Sequence, residues 1–518
     1  MMMSEKWIAE FWPDLEEFRK NLKAFDEGEV TVAQYKGMSG GFGSYAQRGG
    51  KRHMLRLRLP GGVLSKNKLK FIVESCEKYH IDLMKFTTCQ SVQLHNLKPE
   101  DLSQLMEGAW KEGMISRGGG GDFPRNVMAS PLSGVRKGET FDVMPYAKAA
   151  GDYLMNFIKA VKFPRKLKCC FSNNEANEVH ATFRDFGFVA KENHTFDVYG
   201  AGGLGNNPSL GILLAENVEP DKILYYIKAM VDTFVTFGNY ENRGRSRTRY
   251  LKETLGEEGL KKEYTKMLEK VMQEEELDLD TKELWAEENI TKEAQGSITH
   301  KRAIEQKQPG LYAVYYHPIA GEPSVETLRK VLDAIEAMEE VELRLTPDSG
   351  VYIINLNAKE AEQIIEITKD GAENLFEEST CCIGAATCQV GLGDSPSLLK
   401  QCVERVRKEN FKDGVLPKIN ISGCPSSCGA HQVGTLGFRG AIKQTPEGPK
   451  KAFAIFVDGN QQRGKEHLAE AGKIITVEKI PEFLVDLGNM ISKENTTYEL
   501  WIENHKNVLQ ELIDKYAE

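Results

Sequence analysis

Residues 55–97, LRLRLPGGVLSKNKLKFIVESCEKYHIDLMKFTTCQSVQLHNL, lie without a gap on residues 314–356, VYYHPIAGEPSVETLRKVLDAIEAMEEVELRLTPDSGVYIINL, and the match runs on to Met106 and Ile365 at a constant shift of 259 positions. Ser65 then meets Ser324, Leu69 meets Leu328, Ile72 meets Val331, Thr87 meets Thr346, Val92 meets Val351 and Asn96 meets Asn355. Each copy reads as an apolar strand, a turn with Pro or Gly, a helix opening at the Ser N-cap, a second strand and a second helix. Two such β-α-β-α half-domains can share one sheet.

The segment after each half-domain repeats too, with gaps. FPRKLKCCFSNN (163–174) resembles VLPKINISGCPSSCG (415–429) in layout, HATFRDFGFVAK (180–191) resembles HQVGTLGFRGAIK (431–443), and FDVYGAGG (196–203) resembles FAIFVDGN (453–460). The chain is thus a tandem of two composite modules, and the expected architecture is α+β with an internal pseudo-twofold. The expected divisions are 1–50, an N-terminal helix and arm; 51–112 and 308–370, the half-domains; 113–251 and 371–518, the larger modules; and 252–307, a charge-dense linker helix that reads as solvated. Gly37–Gly50 (GMSGGFGSYAQRGG) is glycine-rich but lacks the Gly-Lys-Ser/Thr ending of a phosphate loop and its strand-to-helix flanks, so it reads as a connecting arm.

A length of 518 residues fits two to four domains. No apolar run approaches the roughly 18 residues of a spanning helix, and the start, MMMSEKWIAEFWPDLEEF, has neither signal nor transit character, so a cytoplasmic protein is expected. A net charge of -9, with aliphatic rather than aromatic residues between the basic ones, argues against nucleic-acid binding. The ten cysteines of a long cytosolic chain are read as metal or redox groups where they cluster.

Two clusters stand out. Cys382 and Cys388 (CIGAATC) have five residues between them, and Cys424 and Cys428 (CPSSC) three. Four thiolates from two loops suit a cubane iron-sulfur cluster; structural zinc, whose knuckles prefer two to four intervening residues, is the alternative, with unpaired core cysteines behind it. Cys381 adjoins the first ligand, and spacing alone leaves it a competitor. The basic residues gather at Arg56 and Arg58, Arg125, Lys166 and Lys168, and Arg243, Arg245, Arg247 and Arg249. On a strand Lys166 and Lys168 share a face while Leu167 packs behind them, so the pair can meet one anion.

TCCIGAATC followed by SGCPSSCG resembles the signature of the sulfite and nitrite reductases that pair siroheme with a [4Fe-4S] cluster, and the resemblance spans the duplication. It implies two ferredoxin-like half-domains and two siroheme/cluster-binding modules. Cys382, Cys388, Cys424 and Cys428 would hold the cluster, Cys428 also being the proximal ligand of the siroheme iron. RLRLPGG, FPRNVMAS and PRKLK match the family's substrate strands, which carries anion-binding and catalytic roles to Arg56, Arg125, Lys166 and Lys168. Gln93, His95, Asn126, Arg247 and Arg249 resemble cofactor contacts.

The position of Lys168 resembles sulfite reductases, whereas plant-type nitrite reductases usually carry Asn there, so the resemblance implies reduction of sulfite to sulfide. Nitrite reduction to ammonia is the alternative in the same fold, and a non-catalytic iron-sulfur carrier the alternative in another class. No flavin or nicotinamide motif is present, so a separate donor, expected to be a ferredoxin, supplies the electrons to what is expected to be a monomer. Two departures matter: Cys89 stands where relatives usually have an arginine that reaches a siroheme carboxylate, and Gly118–Gly121 replaces polar residues near the pocket.

Overall fold

The computed structural model describes residues 3–285 and 290–518; Met1, Met2 and residues 286–289, which belong to the expected N-terminal helix and linker, lie outside the described residues. The fold is α+β, as the repeat requires. In the first half-domain Ser44–Ala46, His53–Leu57, Val92–Leu97 and Met84–Phe86 form an antiparallel sheet in that order. The second has the order Ala303–Glu305, Tyr312–Tyr316, Val351–Leu356, Glu342–Leu345, and its far edge is completed by Val63–Leu64 of the first repeat, with Leu343 opposite Leu64. The halves are therefore joined by one exchanged strand and by one core in which Leu55, Leu57, Val92 and Leu94 meet Val314, Leu343 and Ile353.

Ser324 caps its helix by accepting from the Thr327 amide, whereas Ser65 occupies the same N-cap place without a side-chain bond. The larger modules repeat each other strand for strand. Met128–Ala129, Cys169–Ser172 and Phe186–Ala190 run parallel and are followed by antiparallel Phe196–Gly200 and Ile212–Val218. Thr380–Cys381, Ile419–Ser422, Leu436–Thr445, Gly448–Val457 and Glu470–Thr476 do the same.

The linker departs from its expected solvated character. Helix Glu257–Glu274 buries Leu260, Tyr264 and Val271 on one stripe, and Leu260 and Tyr264 join the first module's core beside helix Ile223–Phe237; the charges on its other face masked that stripe in the sequence. Among the described residues no helix is long and apolar enough to cross a membrane.

Candidate active site

Strand register sets Arg56 and Lys85 on either side of Gln93, and alternation puts His95 on the same face. Arg56 donates to the Gly119 carbonyl (2.5 Å) and, with the Gln93 amide oxygen turned toward it, from Nε at 3.0 Å. Arg125 donates to the carbonyls of Gly119 and Gly121, both at 2.8 Å. The glycine run is thus a seat for two guanidiniums. A Cβ on Gly120 would lie 2.3 Å from the Gly40 carbonyl oxygen, which explains why no side chain stands there.

The Arg125 amide donates to the Leu167 carbonyl (2.8 Å), bringing Arg125 beside the lysine strand. Leu167 is buried, and Lys166 and Lys168 keep part of their surface open on the opposite side. Lys168 Nζ lies 3.4 Å from Cys89 Sγ.

The cysteines come from the second module and face these cations. Gly423 stitches their two loops together: its carbonyl accepts from Leu392 (2.8 Å) and Gly393 (2.9 Å), and its amide donates to Cys382 Sγ (3.1 Å). Cys381 turns the other way into the core, where Lys85 Nζ approaches to 3.6 Å. From the arm, Arg48 holds the carbonyls of Cys388 (3.1 Å) and Gly391 (2.7 Å). From the first half-domain, Thr88 donates to the Cys428 carbonyl (2.8 Å). Cys428 is exposed, yet Lys166 and Lys168 act on its thiol, so it lies on the floor of an open recess roofed by the first repeat.

The electrostatics of that recess are one-sided. Burial, then Arg247, Arg125 and Lys168, push the Lys166 ammonium well below its usual range. Burial and neighbouring Arg56 lower the Arg125 guanidinium to about 10. Among the described residues Arg56, Arg125, Lys166, Lys168 and Arg249 form no ion pair with a carboxylate, and buried Arg249 leaves Nε and Nη1 without a hydrogen-bond partner. Uncompensated buried cations call for anions, and a tetrapyrrole ringed by carboxylates together with an oxyanion supplies them. The donor set, four cysteines on two loops joined through Gly423, is of the kind a cubane cluster takes.

The remaining residues singled out in the sequence divide. Asn126 is a backbone clamp: Nδ2 donates to the carbonyls of Leu59, Cys89 and Gln90 (2.8, 3.0 and 3.0 Å), and Oδ1 accepts from the Leu59 amide (2.9 Å). His95 is buried with both ring nitrogens unpartnered, its pKa pushed down to about 3 by burial, Arg56 and Lys85. Arg247 is held by Asp185 at 2.7 and 3.1 Å. Arg243 and Arg245 pair with Asp122 and Glu253 toward solvent, and Arg58 grips the carbonyls of Arg117 (2.8 Å) and Arg125 (3.2 Å). Sequence reasoning passed over Asp185 and Arg184; their signal is a charged pair at the mouth of the apolar strand FGFVA.

Register also shows why one module alone carries the thiols. Cys169 pairs with Phe186 as Ile419 pairs with Leu436, which puts Asn174 and Glu178 at the places of Cys424 and Cys428. Met128 and Thr380 likewise correspond, so Ser130 and Arg136 stand for Cys382 and Cys388. Arg136 pairs with Glu178 (3.5 Å) and Asn174 donates to Ser130 (3.2 Å), a polar plug in place of a cluster. A cavity of about 90 Å³ lined by Glu178, His180, Asp348 and Tyr352 lies at this twofold mate.

The domain described as "Nitrite and sulphite reductase 4Fe-4S domain" matches residues 120–272, and the "Nitrite/Sulfite reductase ferredoxin-like half domain" matches 45–109 and again 304–370. The chloroplastic ferredoxin–nitrite reductase of Zea mays is 24% identical over 449 residues, covering 81% of this chain and 75% of that one. Sulfite reductase [ferredoxin] 1 of Mycolicibacterium paratuberculosis is 23% identical over 428 residues, covering 79% and 74%. The solved structure of the Mycobacterium tuberculosis NirA protein superposes with a TM-score of 0.76 at 21% identity, covering 91% of this chain and 89% of that one, which shows a common fold.

Proposed function

Because the chain belongs to the family of sulfite and nitrite reductases that work with siroheme and a [4Fe-4S] cluster, we propose that it reduces sulfite to sulfide with six electrons drawn from a separate ferredoxin. The observation that carries the choice of sulfite is Lys168, a first-repeat ammonium near Cys428 where plant-type nitrite reductases usually have an amide. In this reading Cys382, Cys388, Cys424 and Cys428 would hold the cluster, and Cys428 would also serve the siroheme iron. When bound, the two centres would supply the single electrons that reduction of an oxyanion requires.

Arg56 and Arg125, fixed by the glycine run, orient the anion's oxygens. Lys166, whose ammonium is destabilised by burial and three cations, gives up its proton readily and serves as the acid as S–O bonds break. The guanidiniums do not titrate usefully and stay as fixed charge. An electron carrier has no use for such a pocket. The protein acts as a cytoplasmic monomer, its own duplication supplying the twofold.

Reduction of nitrite to ammonia is the second reading, favoured by the several relatives named nitrite reductases. An anaerobic assay with a low-potential dye, comparing kcat/KM for the two anions in wild type and Lys168→Asn, separates them. Sulfite preferred by wild type and nitrite gained by the variant supports the first; nitrite preferred by wild type establishes the second.

A further inference from the structure

Position 89 is a cysteine where family resemblance calls for an arginine toward a siroheme carboxylate, so one carboxylate lacks its expected cation. Cys89 packs against a small cluster that contains Cys170, Val179 and Ala181, and Lys168 Nζ touches its sulfur at 3.4 Å. The chain leaves that cluster through the short turn Ala181–Phe183 and reaches Arg184 directly. Arg184 stands close to the sulfur: burial pushes the Cys89 thiol up, yet Lys168, then Arg184 and Arg56, hold it down to about 6.

Arg184 is built in place. The Ala181 amide donates to Asn177 Oδ1 (2.7 Å), the Gly202 amide donates to the Arg184 carbonyl (2.9 Å), and Arg184 Nε donates to the Val179 carbonyl (2.9 Å). Only Nε is spent on the protein: among the described residues Arg184 has no ion pair and its two terminal nitrogens no hydrogen-bond acceptor. The next residue along the chain, Asp185, has its carboxylate already committed to Arg247, Thr248 (2.6 Å) and the Lys168 amide (3.0 Å). The remainder is a half-buried guanidinium anchored through Nε, with no carboxylate partner among the described residues and Lys168 for a neighbour.

We propose that Arg184, with Lys168 beside it, binds the siroheme carboxylate that position 89 does not reach. The inference rests on the siroheme reading above and assigns this chain a cofactor contact displaced from the half-domain loop to the larger module.

The test measures siroheme retention rather than turnover. Purified wild type, Arg184→Met, Arg184→Lys and the double variant Arg184→Met/Cys89→Arg are mixed with excess serum albumin as tetrapyrrole acceptor, and siroheme loss is followed by absorbance. Losing a charge-assisted bidentate contact should speed release by about tenfold to a hundredfold in Arg184→Met. Arg184→Lys should fall between it and wild type, and the double variant should recover to within about threefold of wild type, since the cation returns from the other side. Release from Arg184→Met at the wild-type rate overturns the inference. So does unchanged release with a raised KM for sulfite, which would make the bound anion the substrate. Wild-type protein that takes up no siroheme overturns the parent reading instead.

Discussion

Asp185→Ala is expected to loosen the first larger module more than any other single removal of charge. The Asp185 side chain is fully buried and accepts from Arg247 Nε (3.1 Å) and Nη2 (2.7 Å), from Thr248 Oγ1 (2.6 Å) and from the Lys168 amide (3.0 Å). Taking away one partner of such a pair strands a buried guanidinium and costs about 3–5 kcal/mol. At about 1.36 kcal/mol per decade, that is roughly a hundredfold to several-thousandfold rise in local opening. Amide hydrogen exchange of strands Cys169–Ser172 and Phe186–Ala190, which Asp185 ties to Arg247, reads this directly. Although burial pushes the Asp185 carboxyl up, Arg247, Thr248 and Lys168 hold it below the ordinary value. Its stabilisation is therefore present above the unfolded-state pKa and lost as pH falls through the folded one, so the cost should be constant between about pH 5 and 8. Asp185→Ala/Arg247→Met should regain most of the protection, because a buried pair replaced by apolar groups is nearly neutral. Acceleration under about fivefold in both strands for Asp185→Ala would show that the buried pair does not hold the module together.

Three further outcomes are expected. Cys382→Ser should lower iron and acid-labile sulfide, while Cys381→Ser should leave both at wild-type levels, because Cys381 faces the core; equal loss in the two variants would put the ligand assignment in error. Asn126→Ala should lower stability by at least about 2 kcal/mol, seen as a lower thermal midpoint, since it strips partners from four backbone groups, three of them buried, under the Cys89 loop; an unchanged midpoint would rule out the clamp. His95 has its folded pKa lowered to about 3, so its neutral form is favoured in the fold and stability drains away as pH falls below about 6.5. His95→Leu should flatten thermal stability between about pH 6.5 and 4, and an unaltered slope would remove His95 as the cause.

The duplication was legible because strand and helix periodicities survive a shift of 259 positions even where identities do not. The two cysteine pairs stand out in the sequence because each lies within one short loop. Spacing could not tell the direction of a side chain: Cys381 and Cys382 are neighbours, and the short strand Thr380–Cys381 decides that one faces the core and the other the Gly423 loop. Long-range partners were equally hidden. Nothing in the sequence near Asn126 points to its bonds with Leu59 and Gln90, and nothing near Arg247 points to Asp185 62 positions away. The exchanged strand Val63–Leu64 is too short to carry a periodicity of its own. The linker stripe at Leu260, Tyr264 and Val271 was diluted by surrounding charge.

In the proposed enzyme the recess unites first-repeat cations with second-repeat thiols, and Cys428 is shared by siroheme and the cluster. Mössbauer spectroscopy of the protein purified anaerobically from cells grown on isotopically labelled iron reads that sharing without an intermediary. The expected result is one siroheme iron magnetically coupled to one [4Fe-4S] cluster, with the coupling lost in Cys428→Ser. A siroheme iron and a cluster that behave independently in wild type, or a protein holding zinc and no tetrapyrrole, would overturn it.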